Sequence, residues 1–208
     1  LSLFNLNKKD DFGIFEIGMD KKGEIDSLSK IIKPDVGVIT NISYAHAKNF
    51  KNIKQIALAK SEIIYHIKKD GAIVLNADDQ FYNFHKKIAL KRKLKIYSFS
   101  MTKKISDIKL NSIKKEGNKY KIFVDSNNEK IYFYVSSIFK NNIQNLLAAL
   151  TIIKIYRDIN KLGKNIFYNY KIPEGRGDIS KIKINKKNIY LIDESYNSNP
   201  LSLNSAIK

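Results

Sequence analysis

Val36-Gly37-Val38-Ile39-Thr40 and Ala72-Ile73-Val74-Leu75 are two short apolar runs, and the stretch between them has a different period. Within Asn52–Ile67 the residues Ile53, Ile56, Ala57, Ile63, Ile64 and Ile67 recur at helical spacing, and the run ends at Asp70-Gly71, a helix stop. A buried strand, a helix and a second buried strand in this order make a parallel unit with the helix as its crossover.

The same alternation continues outward. Upstream, Phe12–Ile17 reads as another buried strand ending at Gly18, and Glu24–Ile32 as a helix stopped by Lys33-Pro34. Downstream, Asp78–Ile88 reads as a helix and Leu94–Phe99 as a strand. The fold class expected is α/β, a mostly parallel sheet with flanking helices. After Ser100 the period becomes two. Ile105–Leu110, Tyr120–Val124 and Ile131–Val135 alternate around the turn sequences 115–118 and 125–128, which predicts an antiparallel β insert. Asn141–Tyr156 then reads as a long apolar helix and Gly163–Tyr170 as a shorter one. Residues 173–177, Pro-Glu-Gly-Arg-Gly, look like a linker, with strands at Ile179–Ile184 and Ile189–Ile192 beyond it and a helix opened by Asn199-Pro200. Two domains are expected, 1–176 and the start of another at 177–208.

Composition narrows the function classes. No apolar run among the 208 residues approaches the ~20 needed to cross a bilayer, and the first residues do not read as a signal peptide. With no Cys there is no disulfide or thiolate metal site, which suits a reducing cytoplasm. The net charge of +18 raises the question of nucleic acid. Against that, only Arg92, Arg157 and Arg176 supply the guanidinium fork that phosphate and base-edge recognition favours, and the lysines are scattered among Ile and Asn. A basic nucleic-acid-binding module is therefore the alternative class, and no nucleic-acid partner is expected. Without an initiator Met, and with a helical pattern just beginning at its end, the chain reads as an internal piece of a longer protein.

Several residues have chemistry to offer. Glu16 closes the run Phe12–Ile17, where a carboxylate at a strand's end is placed to hold a metal or simply to face water. His46 follows the strand at 36–40 and reads either as a ligand or polar contact in the same cleft as Glu16 or as a loop His with a local hydrogen bond. Lys60 lies among Ile56, Ala57, Leu58 and Ala59; partial desolvation there would favour a neutral amine open to carbamylation, and the plain alternative is one more lysine on an amphipathic helix. Asn141-Asn142-Ile143-Gln144-Asn145 can cap the long helix, and its amides can also read a purine edge. Residues 193–200, Asp-Glu-Ser-Tyr-Asn-Ser-Asn-Pro, pack more polar groups than a plain strand–helix connection requires.

Taken in order, these segments resemble the Mur ligase family. Glu16-Ile17-Gly18-Met19 with Gly23-Glu24-Ile25, Lys33-Pro34-Asp35 with Thr40-Asn41-Ile42 and Ala45-His46, Ala59-Lys60-Ser61-Glu62-Ile63, and Leu75-Asn76-Ala77-Asp78-Asp79 are each similar to a motif of that family. The stretch Asp193–Pro200 is similar to D-[DE]-S-Y-N-A-N-P, the most discriminating piece among sister ligases. The resemblance weakens between Ser100 and Val135. It implies a central ATP-binding ligase domain followed by the start of a Rossmann-like C-terminal domain. It also implies catalytic roles for Lys60, Glu16 and His46, with Glu16 and His46 holding Mg2+ and Lys60 carbamylated. Asn142 and Asn145 would lie near the adenine of ATP, Arg176 near its phosphates, and Asp193 or Glu194 near the ribose. Tyr196 and Asn197 would face the nucleotide and the incoming substrate.

The implied reaction joins D-alanyl-D-alanine to UDP-N-acetylmuramoyl-tripeptide through an acyl phosphate, in the cytoplasm and by a monomer. A sister Mur ligase or a folylpolyglutamate synthase-like enzyme is the alternative within the same chemistry. Phe139-Lys140-Asn141-Asn142 stands where the family often has G-x-H-N, and the family's glycine-rich phosphate loop is not in this sequence. The expectation is that these 208 residues alone are inactive.

Overall fold

The computed structural model describes residues 7, 9–43, 49–102, 105–127, 129–136, 140–170, 175, 178–185, 187–193 and 195. Its main body is a six-stranded sheet of β1 (Val36–Ile39), β2 (Ala72–Asn76), β3 (Lys95–Ser100), β4 (Ile108–Glu116), β5 (Lys119–Ser126) and β6 (Glu129–Val135), ordered as in the sequence. The pairings β1–β2, β2–β3 and β3–β4 are parallel, and β4–β5 and β5–β6 are antiparallel. The antiparallel insert is thus not a separate layer. β4 pairs with the end of β3 through Phe99 and Ser100, so one sheet carries both halves.

Four helices, α1 (Glu24–Ile32), α2 (Ile53–His66), α3 (Tyr82–Lys91) and α4 (Lys140–Tyr156), cover it. Every residue of β2 is buried, as a central strand covered on both faces requires. Alternate residues sort to opposite cores. Ile39, Ile73 and Leu75 join Ile25, Ile56, Ala57, Ile64 and Ala89 of α1–α3. Val38, Val74 and Phe99 join Ile122, Phe133, Leu147 and Leu150 in the core beneath α4.

The hairpins follow from turn chemistry. Glu116 pairs with Lys119 around Gly117, whose φ of 61° is free of Cβ strain, and Ser126 pairs with Glu129 beyond Asn127 at φ 49°. A separate two-stranded antiparallel sheet, β7 (Asp178–Ile184) and β8 (Lys187–Asp193), stands where two strands are expected.

Three expectations fail. Phe12–Ile17 forms no strand: it joins no ladder with a described strand, and Ile14 is 94% exposed. Apolar composition cannot make a buried strand without a hydrogen-bonding neighbour and two covered faces. Glu16 is accordingly an exposed residue of an irregular segment and not a strand terminus. Gly163–Tyr170 is a chain of turns, with Ile166, Tyr168 and Tyr170 each donating its N–H to the carbonyl three residues back. Tertiary contacts take that segment over. The Lys164 carbonyl accepts from the Tyr134 N–H on the edge strand β6, and Phe167 packs edge-on against Phe133 at 5.4 Å. The third helix begins at Tyr82, not Asp78, because residues 76–79 are held by neighbouring strands, as described next. The helix expected from Asn199-Pro200 lies outside the described residues.

Candidate active site

The carboxyl ends of β1, β2 and β3 are tied together by the polar side chains of Leu75-Asn76-Ala77-Asp78-Asp79. Asn76 Nδ2 donates to the Thr40 carbonyl (3.0 Å), while its Oδ1 accepts from the Asp78 N–H (2.9 Å). Asp78 reaches the other way, accepting from the Ser100 hydroxyl (2.8 Å), the Thr102 hydroxyl (2.6 Å) and the Met101 N–H (2.6 Å). Asp79 accepts from the Ile42 N–H at Oδ2 (2.7 Å) and from the Phe81 N–H at Oδ1 (2.8 Å). These exits would otherwise be loose loops. In open parallel sheets this is the edge where ligands bind.

Lys60 reaches this edge from α2, where Nζ donates to the Asn41 carbonyl at 2.9 Å. Burial pushes its ammonium below the usual lysine range, and the Asp79 carboxylate opposes part of that shift. His85, on α3, lies fully buried behind it, with Nε2 3.1 Å from the Ala57 carbonyl of α2. Burial lowers its pKa too; the Ala57 carbonyl and Asp79 pull the other way, while Lys60 adds to the lowering.

Two residues past Lys60, Glu62 accepts from the N–H groups of Gly23 (3.0 and 3.1 Å) and Asp26 (3.1 Å). Glu24 in turn accepts from the N–H groups of Asp20 and Lys21 at 2.6 and 3.0 Å. Residues 20–26, which follow the segment of Glu16, are therefore anchored to the helix that carries Lys60.

A second feature lies at the start of α4. Asn142, Asn145, Leu146, Phe167 and Tyr170 border an apolar cavity of about 270 Å³ against Ile122 and Val135. The buried Asn142 Nδ2 has no hydrogen-bond partner among the described residues. Uncompensated burial of an amide donor is costly in a folded protein, and a ligand acceptor in the cavity would satisfy it.

Of the residues singled out from the sequence, Lys60, Asn142 and Asn145 stand at these two features. Glu16 is exposed, with no described partner that would make it part of either. Asp193 closes β8, and its carboxylate is held below the usual range by hydrogen bonds from the Ser195 side chain and N–H. His46, Arg176, Glu194, Tyr196 and Asn197 lie outside the described residues. The sequence reading gave no role to Asn76, Asp79, Glu62 or His85. Asn76, Asp79 and Glu62 lie in segments similar to family motifs, and the first two also stand in a run dense in Asn and Asp directly after an apolar strand, but neither signal says what they touch.

Comparison with known proteins agrees with this architecture. Residues 1–153 match the Mur ligase middle domain family model. The chain is similar to UDP-N-acetylmuramoyl-tripeptide–D-alanyl-D-alanine ligase of Buchnera aphidicola subsp. Baizongia pistaciae, at 35% identity over all of the chain and 44% of that protein. To the enzyme of the same description from Rickettsia prowazekii it is 31% identical, over all of the chain and 45% of that protein. Among solved structures, MurF from Acinetobacter baumannii superposes with a TM-score of 0.83 at 26% identity, covering 98% of this chain and 43% of the other. A Thermotoga maritima MurF ligase in complex with ADP gives 0.77 at 22% identity, over 92% of this chain and 42% of the other, a likeness of fold. The chain spans under half the length of these relatives. A family model matched across the strand exits, Lys60 and the opening of α4 makes the conclusion plain: this chain belongs to the Mur ligase family.

Proposed function

We propose that this chain is the ATP-binding middle part of a ligase that joins D-alanyl-D-alanine to UDP-N-acetylmuramoyl-tripeptide in peptidoglycan precursor synthesis. The observation that carries the reading is Lys60. It is an amine with a lowered pKa, held at the carboxyl edge of a parallel sheet within the segment that resembles the family's A-K-[GS]-E-I motif. Similarity along the whole chain to relatives that bear this activity in their names supports the substrate pair. ATP supplies the phosphoryl group that activates the tripeptide carboxyl end, so that the dipeptide amine can displace phosphate and form the new C–N bond.

The residues divide that work. The neutral form of Lys60, favoured by burial, would add through its nitrogen to carbon dioxide and release a proton to solvent, leaving a carbamate as a fixed anion at the site. The unsatisfied Asn142 amide fits a ring nitrogen of adenine, with Asn145 on the same helix and the apolar cavity against the base. Glu16 and His46 would hold Mg2+. Among the described residues no three His, Asp or Glu side chains converge. Magnesium keeps several waters and is bound by one or two carboxylates together with phosphates, and Glu16 would supply one such carboxylate.

Arg176 is assigned to the phosphates, Asp193 or Glu194 to the ribose, and Tyr196 and Asn197 to the nucleotide and incoming dipeptide. The division into domains at 176/177 is supported by the separate β7–β8 sheet. Among the described residues no helix is long and apolar enough to cross a membrane; a cytoplasmic monomer is part of the proposal. The test is phosphate release by the protein in its full natural length, with ATP, Mg2+, the UDP-tripeptide and D-alanyl-D-alanine, each omitted in turn. Release that needs both acceptor and dipeptide supports the assignment. Release with another amine moves the protein to a sister ligase, and no release with any pair overturns it.

A further inference from the structure

Lys60 and Asp79 do not touch; they hold opposite edges of one peptide group. In a trans peptide the C=O and N–H lie in one rigid plane and point in opposite directions, and there is no cis peptide among the described residues. For the peptide that joins Asn41 to Ile42, the C=O accepts from Lys60 Nζ at 2.9 Å and the N–H donates to Asp79 Oδ2 at 2.7 Å. The preceding carbonyl, on Thr40, is held by Asn76 Nδ2 at 3.0 Å. Rotation of the 41–42 plane would break both bonds at once. A carboxylate on the N–H also polarises the peptide and makes its carbonyl a better acceptor for Lys60.

We propose that Asp79 is a positioning residue for Lys60, acting through the Asn41–Ile42 peptide, with Asn76 bracing the residue before it. This rests on the reading of Lys60 as a group the reaction needs. Asp79 itself is turned to the backbone on both oxygens, to Ile42 and to Phe81, and is not assigned to substrate. Without it the plane would be held by the long, flexible lysine alone, and Lys60 would lose its fixed acceptor.

The test uses the full-length protein with Asp79→Ala, Asp79→Asn and Lys60→Ala, and Asp35→Ala as a surface control. Lys60 labelling by acetic anhydride at fixed pH is read by peptide mass mapping against the exposed Lys54 on the same helix. In Asp79→Ala the relative labelling of Lys60 rises. Its kcat falls about tenfold or more through misplacement at the site, while KM for ATP stays within about twofold. Asp79→Asn, which keeps one acceptor oxygen for two N–H groups, falls between wild type and alanine in both readings, and Asp35→Ala matches wild type. Unchanged labelling and kcat in folded Asp79→Ala overturn the proposal. Should that variant not fold, wild-type values in Asp79→Asn overturn it equally. Full activity in Lys60→Ala is a different failure: it removes Lys60 from catalysis and the functional reading with it, whatever Asp79 does.

Discussion

Glu62 on α2 accepts two hydrogen bonds from the Gly23 N–H, 39 residues away, and so caps a helix to which it does not belong. Gly23 stands at the N-cap of α1 in the left-handed conformation (φ 91°) and has no side chain to cap with. Helix amino termini leave their first N–H groups unpaired, and an acidic group there also meets the positive end of the helix dipole. The carboxylate that α1 lacks at its cap comes from α2, next to Lys60.

Replacing Glu62 by Ala removes the acceptor for the Gly23 and Asp26 N–H groups. The expected loss is about 2 kcal/mol of unfolding free energy, from a lost cap made of charge-assisted bonds. Glu62→Gln, which keeps a carbonyl oxygen, loses less. Urea unfolding midpoints of the three proteins check the order, and equal midpoints for Ala and wild type would show that the cap contributes nothing.

Stability falls as the pH drops below the ordinary histidine range. Burial lowers the His85 pKa, so in acid the unfolded chain takes up a proton that the folded chain resists. The stability is fully present above about pH 6.5, the unperturbed value, and is lost progressively below it. Asp79 and the Ala57 carbonyl moderate the effect, and Lys60 adds to it. Denaturant midpoints between pH 7.5 and 5.5 measure this. The His85→Gln protein should show a flatter profile over that interval, and an identical slope would assign the loss to other groups.

Asn142→Leu separates stability from binding. The substitution replaces a half-buried amide, whose buried Nδ2 has no partner among the described residues, by an apolar group of similar size beside an apolar cavity. Removing an unsatisfied buried donor should raise stability by about 1 kcal/mol. The same change should weaken ADP binding by the full-length protein, measured by titration calorimetry. Stabilisation with unaltered ADP affinity would take the nucleotide away from this cavity.

Two aromatic and aliphatic positions that look alike in the sequence should behave differently. Phe133→Ala opens a hole where the ring is fully buried and packed on Phe167, and should cost about 3–5 kcal/mol. Ile14→Ala changes a side chain that is 94% exposed, and should stay within about 0.5 kcal/mol of wild type. Thermal or urea unfolding distinguishes them directly, and a large loss at Ile14 would restore the buried strand expected at Phe12–Ile17.

What the sequence determined by itself was everything with a period or a local stop signal. α1 ends before Pro34, α2 between Asn52 and Gly71 keeps its apolar face, β2 is an unbroken apolar run, and Gly117 and Asn127 sit at hairpin turns because those conformations penalise other residues. An ordered motif also marked Lys60, and the Asn-rich opening of the long helix marked Asn142, since both lie inside regular elements whose placement the pattern fixes. Only the tertiary structure decided the remainder, because it depends on partners distant in the chain. Phe12–Ile17 has strand composition and no neighbour to pair with, and Gly163–Tyr170 gives its Lys164 carbonyl to the edge of β6 instead of forming a helix. Asn76, Asp79 and Glu62 are ordinary polar residues in one dimension. Their hydrogen bonds to Thr40, Ile42 and Gly23 span 36, 37 and 39 residues; motif likeness marks the segments they sit in, while the partners they reach are set by the fold.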